Sequence, residues 1–374
     1  MSTRCGGCRV NRRFSINLLG ADKNYNREEK MKSGCYTALA TPFKGDGVDY
    51  QGLGQLVDFQ ISNGITGILA VGTTGESPTL SWEEHNRVVE TVVGKCKGKC
   101  ISIAGAGSNN TREALEAAGH AKKTGADAVL LVDPYYNGPS SLEIRREYVA
   151  PIAQAVAGTE VIPYIIPGRT GAQMLPEDLA ILNQSFENIN TVKEATGNLD
   201  NMRRTRACCG PDFTILSGDD GLTFEMMTAA DIGAAGVISV VSNVAPAAMT
   251  QMAASINAGD LNTAKSINSA LAPLFGLVTV TTREKTPHGE VACRARNPLA
   301  LKALMSILGM PAGGCRSPLG KMTAGGLEVV LAAVRKVQTE NPEILKPVGD
   351  FFDVDIAGRL EDASVWEGLA YSEY

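Results

Sequence analysis

The sequence predicts a closed (β/α)8 barrel, a TIM barrel, followed by a helical C-terminal extension. Three observations carry this. Between Cys35 and about Asn257, eight short apolar runs alternate with longer amphipathic stretches. The runs are apolar throughout, as in parallel strands buried on both faces. Eight such units in about 220 residues match the usual size of a closed barrel. An open doubly wound sheet is the competing arrangement, and it calls for a Gly-rich dinucleotide loop after its first strand. The nearest candidate, Gly105-Ala106-Gly107, lacks the third Gly and a downstream acid at the right distance.

In chain order, residues 1–33 form a basic extension, with eight Lys/Arg against three Asp/Glu. A translation start at Met31 makes residues 1–30 an annotation extension or a disordered tail. Their Arg content and scarcity of acids before residue 22 leave a short organellar transit peptide as the alternative to a cytoplasmic protein. The barrel spans 34–258. Its strands are read as Tyr36–Thr41, Gly67–Val71, Ile101–Ala104, Ala128–Val132, Val161–Ile166, Ile189–Val192, Phe213–Leu216 and Gly236–Val240. Helices follow, among them Trp82–Val93, Thr111–Thr124, Leu142–Val156 and Pro246–Ile256. Residues 259–340 add helices over roughly Leu261–Phe275, Pro298–Leu308 and Gly326–Gln338. Between the first two, the polar 281–296 insertion reads as a loop. Residues 341–374 hold eight Asp/Glu against two Lys/Arg, an acidic tail expected to pack partially or not at all.

A net charge of −5 argues against a nucleic-acid or membrane-surface binder. No apolar run reaches 18 residues. Nine cysteines and three histidines lack ligand-like spacing; Cys5-Gly-Gly-Cys8 resembles half a zinc knuckle without a second pair. Reduced thiols, no metal site and a cytoplasmic protein are the expectation.

Chemistry in a parallel barrel sits at the carboxyl ends of the strands. Here those ends carry Gly72-Thr73-Thr74-Gly75-Glu76, Asp133-Pro134-Tyr135-Tyr136-Asn137, Tyr164 with Pro167-Gly168-Arg169-Thr170-Gly171, Lys193-Glu194-Ala195-Thr196-Gly197 and Gly218-Asp219-Asp220. A lysine closing an apolar strand is costly unless paired or used. Burial favours its neutral amine, the nucleophile of Schiff-base chemistry. A Lys193–Glu194 or cross-barrel ion pair is the bland alternative. Singly, Thr73 and Thr74 read as turn residues, Arg169 as a surface ion-pair former, and Tyr135 and Tyr136 as packing aromatics. Two acids at Gly218-Asp219-Asp220 exclude a phosphate loop there.

Taken together and in order, these segments, with Leu216-Ser-Gly-Asp-Asp and Gly236-Val-Ile-Ser-Val, resemble the dihydrodipicolinate synthase family of pyruvate class I aldolases. The likeness runs from residue 34 to about 280 and more loosely over 297–340. It implies condensation of pyruvate with L-aspartate semialdehyde in lysine and diaminopimelate biosynthesis, with no cofactor. Lys193 would form the Schiff base, and Thr74 would bind the pyruvate carboxylate. Thr73, Tyr164 and Tyr136 would relay protons, with Tyr136 supplied by a neighbouring subunit. Arg169 would hold the carboxylate of the second substrate, and Gly218 and Ile238 would line the pocket. A homotetramer of tight dimers is implied, with a dimer as the alternative if the insertion alters the second interface. Ser77, Trp82, His85, Asn109, Glu113 and Tyr135 match the site where lysine inhibits family members. Asn109 and Glu113 could equally just start the helix at Thr111.

Related aldolases acting on N-acetylneuraminate, 2-keto-3-deoxy sugar acids or 4-hydroxy-2-oxoglutarate share Lys193 and Tyr164; Arg169 favours the synthase. A barrel that binds ligands without catalysis is the reading from another class. Two positions depart from the pattern. Ile165 stands where the family carries Asn, and strand alternation should turn it away from Tyr164 into the helix layer. Pro78 falls within the regulatory loop.

Overall fold

The computed structural model describes residues 31–374; the basic extension over residues 1–30, with Cys5 and Cys8, lies outside the described residues. Eight parallel strands close into a barrel: β1 (Gly34–Ala38), β2 (Gly67–Ala70), β3 (Ile101–Gly105), β4 (Ala128–Val132), β5 (Glu160–Ile165), β6 (Thr191–Glu194), β7 (Thr214–Ser217) and β8 (Gly236–Ser239). Each pairs with its sequence neighbours, and β1 closes the ring by pairing with both β8 and β2.

Alternation along each strand splits the core in two. Tyr36, Ala38, Leu69, Ile103, Leu130, Ile162, Tyr164, Leu216 and Ile238 fill the barrel interior. Cys35, Ile68, Ala104, Val129, Leu131, Val161, Ile165, Val192, Ile215 and Val237 join a larger shell packed under the helices. Both faces are dry, which is why the strands read as unbroken apolar runs. Ile165 falls in the outer shell and Tyr164 in the inner one, as alternation predicts.

Several expected bounds shift. β6 runs over Thr191–Glu194 rather than Ile189–Val192, so Lys193 lies within the strand, laddered to Tyr164 and Leu216. Its polar end does not read as strand, yet backbone pairing is indifferent to it. β1 ends earlier than expected, because the Ala40 amide turns to Asn243 Oδ1. The helix expected over Leu142–Val156 is interrupted by a π-helical stretch, Ile144–Val149, just before Pro151. Proline removes the amide that would serve the Glu147 carbonyl, and Thr111 Oγ1 donates to that carbonyl instead at 3.0 Å. Gly105 and Gly107 are set by close approach rather than nucleotide binding. A Cβ on Gly105 would stand 2.4 Å from the Val71 carbonyl oxygen, and one on Gly107 would be 2.7 Å from Val132 Cγ1.

The C-terminal region differs most from expectation. The 281–296 insertion is not a loop: β9 (Thr279–Thr286) and β10 (Gly289–Arg296) form an antiparallel hairpin turning at Pro287-His288. The β-branched run Thr279–Thr282 favours strand. Val280 is buried, while Arg283 pairs with Glu290 at 2.6 Å on the wet face. Charge on a half-exposed hairpin thus mimics a loop. Helices Leu299–Ile307 and Ala324–Glu340 follow. Residues 341–374 are packed by helices Lys346–Phe352 and Ile356–Glu361, which bury Ile344, Leu345, Val348, Ile356 and Leu360. Arg359 donates to the Ile307 and Ser306 carbonyls, at 2.7 and 3.0 Å, at the end of helix Leu299–Ile307. The acids of this segment occupy its outer face, which composition alone cannot distinguish from disorder.

Candidate active site

β6 presents Lys193 to the barrel interior beside Tyr164, its register partner on β5. Nζ lies 4.2 Å from the centroid of the Tyr164 ring. Lys193 is 5% exposed and makes no ion pair among the described residues. Burial lowers its pKa from 10.5 to about 7; Asp220 opposes the shift and Arg169 adds to it. Asp220 is itself buried, and its Oδ2 accepts from the Val240 and Val241 amides at 2.9 and 3.1 Å. Glu194 points to the opposite face, where it accepts from Thr196 N at 2.7 Å and Asn201 Nδ2 at 2.8 Å. Alternation therefore separates Lys193 from the adjacent acid, and the Lys193–Glu194 ion pair does not form.

Space for the lysine comes from Gly218 at the end of β7. A Cβ there would meet Lys193 Cε at 3.0 Å and Ala195 Cβ at 2.8 Å. Ile238 lines the same interior beside Tyr164 and Leu216. Burial pushes the Tyr164 phenol up to about 12, Arg169 and the Thr73 hydroxyl pull it back, and Asp219 pushes it up. Asp219 also caps the turn that follows, accepting from the Gly221 and Leu222 amides.

The Thr73–Thr74 loop leaves β2 through Val71, whose φ of 48° is strained for a β-branched residue. Tight backbone bonds from Gly75 N to Gly72 O and from Glu76 N to Thr73 O hold the turn. Thr74 is buried, and its Oγ1 accepts from Asn297 Nδ2 at 3.0 Å. A hydroxyl that accepts this bond keeps its own hydrogen for another acceptor, such as a carboxylate. Behind the loop, Glu76 Oε1 meets Lys302 Nζ at 2.7 Å, both side chains being almost fully buried. Lys302 donates further to Thr41 O at 3.1 Å and Gly314 O at 2.9 Å, and the Arg316 amide donates to Glu76 Oε2.

Asn297 and Lys302 were not anticipated from the sequence. The one signal was a lone lysine in the apolar stretch Leu299-Ala-Leu-Lys-Ala-Leu-Met, since a lysine there must find a partner. Arg169 sits on the short turn Pro167–Thr170, partly buried and without an ion pair among the described residues. Tyr136 projects from the loop after β4 at 85% exposure, so a single chain does not pack it against Thr73 and Tyr164.

Comparisons with known proteins match most of the chain. The sequence model of the Dihydrodipicolinate synthetase family matches residues 31–337. The chain belongs to this family. It is 40% identical over 289 residues to the 4-hydroxy-tetrahydrodipicolinate synthase of Methanococcus aeolicus, covering 77% of this chain and 93% of the relative. The corresponding protein of Geobacter sp. strain M21 is 39% identical, over 82% of this chain and 99% of its own. The crystal structure of dihydrodipicolinate synthase from Aquifex aeolicus superimposes with a TM-score of 0.74 at 37% identity, covering 84% of this chain and 99% of the other. A dihydrodipicolinate synthase structure from Cyanidioschyzon merolae, with lysine bound, gives 0.74 at 35% identity, over 83% and 99%. Enzymes of the dihydrodipicolinate synthetase family are lyases of the class I aldolase type.

Of the residues expected to bind lysine, Trp82 and His85 lie in the first turn of helix Trp82–Cys96, and Asn109 and Glu113 flank the start of helix Thr111–Thr124. Trp82 meets His85 edge-on, with centroids 5.1 Å apart. His85 is buried, its Nδ1 is unpartnered, and burial lowers its pKa. Asn109 Oδ1 accepts from the Tyr135 amide at 2.6 Å, and Glu113 Oε2 from Ser108 Oγ at 2.6 Å. The residue that caps the second helix is Asn110. Ser77 and Pro78 lie on the 3-10 turn that follows Glu76. No group of His, Cys, Asp and Glu among the described residues forms a metal cluster, and no helix there is long and apolar enough to cross a membrane.

Proposed function

We propose that this chain condenses pyruvate with L-aspartate semialdehyde through a Schiff base on Lys193, as 4-hydroxy-tetrahydrodipicolinate synthases do. The observation that carries the proposal is a buried lysine without a carboxylate partner, beside a buried tyrosine at the open end of the barrel. Near pH 7 a large share of such a lysine is the free amine. The amine attacks the pyruvate ketone, and loss of water leaves an imine whose cationic nitrogen acidifies the methyl group. Tyr164, with Thr73 and the Tyr136 of a second copy, moves protons to and from the developing groups. Thr74 holds the pyruvate carboxylate with the hydroxyl hydrogen that Asn297 leaves free.

The enamine carbon then attacks the aldehyde carbon of the second substrate, whose carboxylate Arg169 receives in a two-pronged geometry. The amino group brought by aspartate semialdehyde then attacks the imine carbon, which expels the Lys193 amine and closes the ring. Gly218 and Ile238 shape the pocket. The exposure of Tyr136 favours assembly with at least one other copy, and a homotetramer or dimer serves equally. Free lysine inhibits through Ser77, Trp82, His85, Asn109, Glu113 and Tyr135. Millimolar lysine that leaves the rate unchanged would sink that assignment.

The test of the main proposal is borohydride trapping with pyruvate and peptide mass spectrometry. A pyruvate-derived adduct on Lys193 is expected, and folded protein that gives none rejects the mechanism. With the adduct in hand, aspartate semialdehyde should be turned over in preference to sugar aldehydes.

A further inference from the structure

The hairpin of β9 and β10 ends on a residue that reaches the reaction site. Arg296 is the last residue of β10 and pairs with Thr279, the first of β9, so it stands at the base of the hairpin. Its Nη1 donates to the Gly168 carbonyl at 3.0 Å, next to Arg169. Asn297, the following residue, donates to Thr74. One dipeptide therefore touches both the pyruvate loop and the Arg169 loop.

Arg169 and Arg296 each lack an ion pair among the described residues, although Arg283 on the same hairpin has one with Glu290. Two guanidiniums sharing a lip without an acid repel each other, and the proximity is felt: Arg296 adds to the burial that lowers the pKa of Arg169. An anion placed at this lip removes the repulsion and gains two cations at once.

We propose that Arg296 is a specificity-determining residue, a second fixed cation beside Arg169 that selects acceptor aldehydes bearing a carboxylate at this lip. The proposal rests on the reading of Arg169 as the holder of the acceptor carboxylate. Arg296 acts in two ways: its charge attracts the acceptor, and its bond to Gly168 O positions the turn carrying Arg169.

Four variants of the full-length protein separate these contributions: Arg296→Lys, Arg296→Gln, Arg296→Ala and Arg169→Ala. With Arg296→Ala, KM for aspartate semialdehyde should rise roughly tenfold, the scale of a charge-assisted contact. KM for pyruvate and the yield of trapped Lys193 adduct should stay within about twofold, on the same scale. Arg296→Lys should recover most of the acceptor affinity. Arg296→Gln, which can still donate to Gly168 O, should not. The dependence of acceptor kcat/KM on salt should also weaken in Arg296→Ala and Arg296→Gln. Full activity in Arg296→Gln would overturn the charge role, and an unchanged acceptor KM in Arg296→Ala would overturn the proposal as a whole. Arg169→Ala tells the two failures apart: if it too leaves acceptor KM unchanged, the reading of Arg169 fails first.

Discussion

Two lysines are buried at the same end of this barrel, and they have opposite surroundings. Lys302 is held by Glu76 at 2.7 Å and by two carbonyl oxygens. Lys193 has no ion pair among the described residues, only the face of Tyr164 and the space left by Gly218. Burial pulls both amines toward neutrality; the charge and a hydrogen bond of Glu76 pull Lys302 back, whereas at Lys193 the charge of Asp220 pulls back without a hydrogen bond and Arg169 works against it. Burial alone therefore does not make a nucleophile; burial without a bonded counter-charge does. The paired lysine is structural, and it fixes the loop on which Thr73 and Thr74 stand.

The largest expected contrast comes from removing each lysine. Lys193→Ala should lower kcat by at least about a thousandfold and abolish trapping, with thermal stability kept or raised. Lys302→Met should instead cost about 3–5 kcal/mol in urea unfolding, because Glu76 is left buried and unpaired. Adding Glu76→Gln should restore part of that. Similar loss of stability in both single variants would break the contrast.

Next in size is Gly218→Ala, whose Cβ falls on Lys193 Cε and Ala195 Cβ. A drop in kcat of about 10- to 100-fold with about 1–3 kcal/mol of destabilisation is expected. Wild-type turnover would show that the lysine does not need that space.

Asn297→Ala should follow, raising KM for pyruvate about tenfold while leaving the aldehyde KM unchanged, since only the Thr74 hydroxyl loses its donor. Equal changes in both constants would mean that the loop has moved as a whole.

The finest test is pH. The initial rate of trapping should climb as pH rises through about 7 and then level off, because the reactive form of Lys193 is the free amine. Between about 7 and 10.5 the unfolded chain holds a proton on this lysine that the folded chain lacks. Stability from this group therefore rises with pH across that window, and Lys193→Met should flatten the slope. A trapping rate that rises only near pH 10 would place Lys193 in a wet site.

Much of this was legible in the sequence, for one physical reason. Strands buried on both faces must be apolar, so the polar residues at or near the end of each run stand out; Thr73, Thr74, Tyr164, Arg169 and Lys193 drew attention that way, and the resemblance supplied the roles expected of them. Alternation also predicted the outward turn of Ile165. What stayed hidden depends on pairings between distant residues. Lys302 and Glu76 are separated by 226 positions and Asn297 and Thr74 by 223, and no local pattern announces either bond. The 281–296 hairpin was misread as a loop, and the partial packing of 341–374 was left open, because a charged outer face looks alike on a loop, a strand and a helix. Tyr136 is a third kind of case: its expected task lies across an interface that one chain does not contain.

The packing of Arg359 against the carbonyls of Ser306 and Ile307 gives the last segment a role out of proportion to its distance from the chemistry. Helix Leu299–Ile307 works as a lever arm, gripped at its far end by Arg359 and ending at its near end in the Asn297 hand that holds Thr74. Residues beyond 337, outside the part matched by the family model, thus act as a foundation for a hydroxyl at the opposite end of that helix. Cutting or fusing the chain there would register as weaker hold on pyruvate, with the barrel itself intact.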